Sequence, residues 1–197
     1  MQLRLRKTRV SVTFPFAAVI MLMLLFCDSE TVFISLFSSL LHEGGHLLFM
    51  LLFHDFPALV CFGAFGIRIE RRGSASLSCK KEAVIALGGV LVNLLLALSG
   101  AAVYALFENP FGIKLAAVNG FIGAFNMLPV SLLDFGRFLE CMLSQKENAQ
   151  GYMKAISLLT ALAVGAGCVF YNVFFGVNVS LIAVSIYVIS AAYEGVK

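Results

Sequence analysis

The chain has 197 residues, of which 60% are hydrophobic and only 13% charged, with a formal net charge of +3 and a mean hydropathy of +0.96. Soluble domains carry about 25% charged residues, so this composition excludes an ordinary water-soluble enzyme and points to lipid as the solvent. A balance of +3 gives no ground for a nucleic-acid partner.

Apolar runs near the bilayer-crossing length of about 20 residues predict six helices, at 10–26, 31–53, 82–107, 112–128, 154–171 and 177–193. Arg4, Arg6, Lys7 and Arg9 precede the first run in the manner of a signal peptide. The run ends in Phe26-Cys27-Asp28, without a small-x-small cleavage site, and is read as a retained helix. With the N-terminus placed in the cytoplasm, thirteen of the fourteen Lys and Arg fall on the inner side. Only Lys114 falls outside, which is the positive-inside pattern of an even number of spans. The five cysteines include no CxxC pair and predict neither a disulfide framework nor a cysteine metal site.

Two stretches leave the predicted spans, about 54–81 and about 136–153, and neither is long enough for a separate soluble domain. In the first, Phe65, Ile67 and Ile69 alternate with Gly66, Arg68 and Glu70, followed by Arg72-Gly73 as a turn and by Ala75 and Leu77. That period of two predicts a membrane-surface β-hairpin near 60–79. The expected fold is therefore an all-α polytopic membrane protein of about six transmembrane helices with one small β-hairpin, a single domain over 1–197.

The second predicted helix contains His42-Glu43-Gly44-Gly45-His46. Residues four apart share one helix face, so two imidazoles can grip one ion while Glu43 reaches a water on it. Ionisable groups in a membrane helix cost about 2.5–3.5 kcal/mol each on insertion scales, and a divalent cation compensates that cost. A catalytic zinc takes a third protein ligand and keeps one position open. Asp28, Glu30 and Glu108 lie at external turns, and Glu70, Glu82, Glu140, Glu147 and Glu194 in cytoplasmic segments or at helix ends. His54 and Asp55 lie two turns beyond His46 on the same rod, which leaves Asp134 as third ligand by elimination. His42 sits about 17 Å below the outer end of its helix, whereas a straight fourth helix would carry Asp134 about 33 Å down. Pro129 breaks that helix and lets the following residues loop back.

His42-Glu43-Gly44-Gly45-His46, Asn126-Met127-Leu128-Pro129 and Leu133-Asp134-Phe135-Gly136-Arg137 together resemble the site-2 protease family of intramembrane zinc metalloproteases. The family pattern is HExxH on one membrane helix and NxxP with a downstream Asp-Gly on another. Gly88-Gly89-Val90-Leu91-Val92-Asn93 is similar to the family's Gly-Pro-x-x-Asn element. Val90 stands where the family usually has Pro, and Phe135 where it usually has Gly. The six-span layout with a hairpin is most similar to the compact bacterial branch that processes a sporulation sigma-factor precursor, without that branch's regulatory C-terminal domain. The resemblance implies Zn2+ held by His42, His46 and Asp134, with Glu43 as general base. It also implies a membrane-spanning protein substrate, cut in or near its span, in a multi-pass bacterial cell-membrane enzyme with both termini cytoplasmic. With no appended domain, control is expected from a membrane partner protein or from preliminary trimming of the substrate.

Asn93 and Asn126 are amides in apolar surroundings, read either as ligands for substrate backbone or oxyanion or as interhelical hydrogen bonds. Two rival functions are a catalytically inactive relative that binds membrane proteins and a metal transporter. The first has no use for the intact Glu43. The second predicts acidic residues or histidines strung along several helices and an internal repeat, and neither is visible in the sequence.

Overall fold

In the computed structural model, the described residues are 2–5, 8–26, 28–55, 57–63, 66–71 and 78–194. They form four strands, β1 (Gln2–Leu5), β2 (Thr8–Val12), β3 (Pro57–Gly63) and β4 (Gly66–Arg71), and seven helices. The helices are α1 (Phe14–Phe26), α2 (Ser29–Leu52), α3 (Cys79–Phe107), α4 (Pro110–Asn126), α5 (Asp134–Leu143), α6 (Ala149–Phe175) and α7 (Val179–Glu194).

Three helices, α2, α3 and α6, are long and apolar enough to cross a membrane. Their surfaces are inverted relative to a soluble protein: Phe33, Leu94, Leu98, Leu162 and Phe174 point outward. Inside lie Ser38, Asn93, Asn119 and Ser157, each at most 1% exposed. Asn119 Nδ2 donates to Ser38 Oγ at 2.9 Å, joining α4 to α2. α1, α4 and α7 have 13, 17 and 16 residues, about 20–26 Å of helix at 1.5 Å per residue.

The first predicted span is corrected at its start, because 8–12 form a strand and the helix begins only at Phe14. Thr8, Val10, Val12 and Thr13 favour extended backbone through β-branching. Pro15, which lacks an N–H, is tolerated only in a helix's first turn and so fixes where α1 begins.

The hairpin expectation is also revised. β3 and β4 pair antiparallel with Gly63 opposite Gly66, and the expected turn at Arg72-Gly73 lies outside the described residues. The expected arm at Ala75 and Leu77 lies outside the described residues. The pair belongs to a four-stranded sheet in the order β1-β2-β3-β4, in which β2 and β3 run parallel. Parallel neighbours need a crossover, and the α1–α2 pair supplies it. Thr13 N and Oγ1 both donate to Phe62 O, at 3.0 and 2.9 Å, and Phe16 meets the Phe62 ring edge-on.

At the opposite end, Asp28 caps α2: its carboxylate accepts from Thr31 N at 2.9 Å and from Thr31 Oγ1 at 2.8 Å. Lys114 of α4 pairs with Asp28 and Glu30, so the α1–α2 turn and the start of α4 share one end of the bundle. The Thr31 bonds, with Lys114 beside them, hold the Asp28 carboxyl down at about 2. α5 is the element the sequence reading passed over, since its residues fall in a stretch read as non-membrane loop.

Val130 and Leu133, from the α4–α5 connection, pack into one apolar cluster with Ala161 of α6 and Val188, Ala191 and Ala192 of α7. The last two helices thus anchor the loop that leads into Asp134.

Candidate metal centre

α2 carries the two histidines, and α3 crosses it at very short range. A Cβ on Gly88 would lie 2.8 Å from Gly45 O and 2.7 Å from Phe49 Cδ2, and one on Gly45 would strike Gly88 O. Side chains at either position would force the helices apart, so Gly45 and Gly88 set the separation. Gly44 differs from its neighbour: nothing lies within 4 Å of its missing side chain. Of the two glycines in the motif, one admits the α3 backbone and the other leaves open space beside Glu43.

The close crossing puts one stripe of α3, residues 85, 89 and 93, against the imidazoles. His46 Nδ1 lies 2.7 Å from Ile85 O. A carbonyl only accepts, so this nitrogen carries the hydrogen and Nε2 is left bare in the neutral ring. His42 Nδ1 lies 3.2 Å from Asn93 Oδ1, the same arrangement for the other ring. Gly89 sits between: a Cβ there would be 2.5 Å from His46 Nε2 and 2.7 Å from His42 Nε2.

Asp134 arrives from the other side. α4 ends at Asn126, three residues before Pro129. Leu133 N then donates to Val130 O at 2.8 Å, closing a turn that delivers Asp134 as the first residue of α5. Gly136 is required in that turn, because a Cβ would collide with Val130 O. Ser131 N donates to Ser157 Oγ at 3.2 Å, tying the turn to α6.

The three side chains meet in a buried group, His42 5%, His46 8% and Asp134 7% exposed. The two Nε2 atoms are 3.3 Å apart. Asp134 Oδ2 lies 3.1 Å from His42 Nε2, and Oδ1 lies 3.3 Å from His46 Nε2. Donor atoms about 2.0–2.1 Å from a tetrahedral centre are separated by edges of about 3.3–3.4 Å, which these spacings approach. With both Nδ1 positions protonated, the four atoms that converge are all electron-rich, and Asp134 Oδ2 is buried without a hydrogen bond. A dication satisfies all of them at once, so the residues fit a zinc ion by chemistry and by spacing. Among the described residues, this is the one group of three potential ligands whose donor atoms all lie within 4.8 Å of one another.

Glu43 is half-buried beside this group. Asn126, at the end of α4, is half-buried and donates to Ile122 O of its own helix at 3.0 Å. His54 takes a left-handed backbone at φ 57°, closing α2 away from the site. Val90 lies within the unbroken α3, where a proline would have removed an N–H. Phe135 stacks on Phe138 with 5.6 Å between ring centroids.

Sequence reasoning overlooked the Ile85 carbonyl and the ring contact at Gly89. The periodicity 85-89-93 on one helix face was the available signal. It also overlooked a cavity of about 390 Å³ beside Ile85, walled by Cys79, Glu82, Arg137, Glu140 and Cys141. Burial there, with Cys79 and Glu82 alongside, pushes the Cys141 thiol up to about 12.

No protein-family model and no curated protein sequence matches this chain. Its fold is similar to the solved structure of the site-2 protease from Methanocaldococcus jannaschii, with a TM-score of 0.72. The match covers 100% of this chain and 95% of that one at 20% identity. At that identity the likeness establishes the fold, which is that of a site-2 protease.

Proposed function

We propose that this chain is an intramembrane zinc metalloendopeptidase that hydrolyses peptide bonds in or near transmembrane segments of membrane-bound proteins. The observation that carries the reading is the buried His42–His46–Asp134 triangle with Glu43 beside it, in a site-2 protease fold. In this reading six helices cross or enter the bilayer, both termini are cytoplasmic and the membrane is a bacterial cell membrane. Control comes from a membrane partner or from preliminary trimming of the substrate.

His42, His46 and Asp134 would hold Zn2+, which supplies Lewis acidity for polarising a peptide carbonyl and acidifying a water. Glu43 takes the proton from the attacking water and delivers it to the departing amine. A substrate helix must unwind first, because its carbonyls are hydrogen-bonded and shielded. The open space beside Gly44 is where an unwound substrate segment would approach Glu43. Burial of the triangle keeps bulk water away and strengthens the charge interactions inside.

The decisive experiment co-expresses the chain with single-span membrane substrates and compares it with Glu43→Gln, measuring cleavage and bound metal on the same purified samples. The variant is expected to keep its zinc and lose at least about 100-fold in cleavage rate. A Glu43→Gln protein that cleaves at the wild-type rate, or a wild type without metal, overturns the reading.

A further inference from the structure

We propose that Asn93 is a positioning residue for His42: its side-chain oxygen holds the Nδ1 hydrogen, so that the bare Nε2 faces the metal position. The inference rests on the zinc reading above and deepens it. It also replaces the reading of Asn93 as a substrate ligand. Asn93 is 0% exposed and its Oδ1 is already engaged with His42 Nδ1 at 3.2 Å. To bind a substrate it would have to break that bond and leave a closed interface.

The amide's other half strengthens the case. Asn93 Nδ2 is buried with no hydrogen-bond partner. A leucine has the same branched four-atom side-chain skeleton and would occupy the α2–α3–α4 interior without stranding a donor. The interaction that the asparagine gains in exchange is the bond to His42. Histidines that ligate metals usually donate their second ring nitrogen to a carbonyl, carboxylate or water, which fixes tautomer and ring plane. In this chain α3 performs that task for both rings from one face. Ile85 O serves His46, Asn93 Oδ1 serves His42, and Gly89 between them leaves room for the rings. Backbone can orient one ring; the second, one turn along α2, needs a side chain that reaches it. Asparagine does so without adding a charge.

The test uses the full chain in detergent with no substrate present. Zinc affinity is measured by chelator competition, and ligand geometry by the visible absorption of the cobalt-substituted protein. Asn93→Leu is expected to bind zinc about 10–100-fold more weakly, with an altered cobalt spectrum and a thermal midpoint no lower than wild type in the metal-free form. Asn93→Asp, which can only accept from Nδ1, is expected to bind zinc at least as tightly as wild type. Wild-type affinity and spectrum in Asn93→Leu would overturn the inference and leave the zinc reading intact. A loss of affinity in Asn93→Asp would overturn it too, since the amide would then be acting through its nitrogen. If Asn93→Leu does not fold, Asn93→Asp decides alone by the same criterion. A wild type that binds no zinc would bring down the zinc reading itself and this inference with it.

Discussion

The two histidines and the aspartate of the triangle are built in different ways. His42 and His46 stand in the middle of α2, and their geometry is set by a neighbouring helix through two hydrogen bonds and one bare glycine. Asp134 stands at the beginning of a short helix, and its geometry is set by a turn at 128–133, a glycine one turn on, and an apolar cluster from α6 and α7. The histidine half is a close-packed interface between long helices. The carboxylate half is a loop held by packing. Mutations should therefore damage the two halves differently, the first through the rings themselves and the second through the backbone that carries the ligand.

The largest effect is expected at Gly89. Gly89→Ala puts a methyl 2.5 Å from His46 Nε2, which neither ring can accommodate while bonded through Nδ1. Bound zinc, measured on purified protein, should fall to background, whereas Gly44→Ala, with open space around it, should retain a full complement. Equal zinc in the two variants would show that α3 does not template the rings.

Next comes Gly136→Ala, whose methyl would meet Val130 O. Overpacking of this kind costs about 1–3 kcal/mol, and the thermal midpoint should drop along with zinc affinity. Stability and metal binding are expected to fall together here, whereas Gly89→Ala should lose metal and keep the metal-free protein folded. A Gly136→Ala protein with normal stability and no zinc would erase the contrast between the halves.

The smallest effect belongs to the far end of the histidine helix. Asp28 is held at about 2, below its ordinary 3.8, by Thr31 and then Lys114. A carboxyl depressed by folding stabilises the folded state at pH above its unfolded value, and that contribution is lost as pH falls through the folded one. The thermal midpoint of wild type should therefore decline more steeply than that of Asp28→Asn between about pH 4 and pH 2. Zinc content near neutral pH should be unchanged, and a loss there would mean that the cap of α2 reaches the metal ligands.

How much of this was legible in the sequence follows the same division. Spacing alone places His42, Glu43 and His46 on one helix, because a membrane helix fixes its own side-chain directions. Asp134 was reached by elimination, and Pro129 explained why α4 could not continue, but nothing local foretold that Val130 and Leu133 would be gripped by α6 and α7. The sheet was half legible. β4 shows its period of two, whereas the end of β2 overlaps an apolar run long enough to pass for a helix, with Pro15 marking the helix start. Asn93 was visible as a buried amide; its partner was not, since an interhelical bond depends on the crossing that Gly45 and Gly88 permit.

The parallel pairing of β2 with β3 has a consequence for the order in which the molecule assembles. Arg9 stands opposite Leu59, about fifty residues along the chain, and closing so long a loop in a free chain is entropically unfavourable. In the proposed topology, insertion of α1 and α2 as a hairpin would bring their two ends side by side and accomplish most of that closure. On that topology the sheet is expected to form late, after insertion. Substitutions that weaken it should speed unfolding and leave the rate of insertion alone.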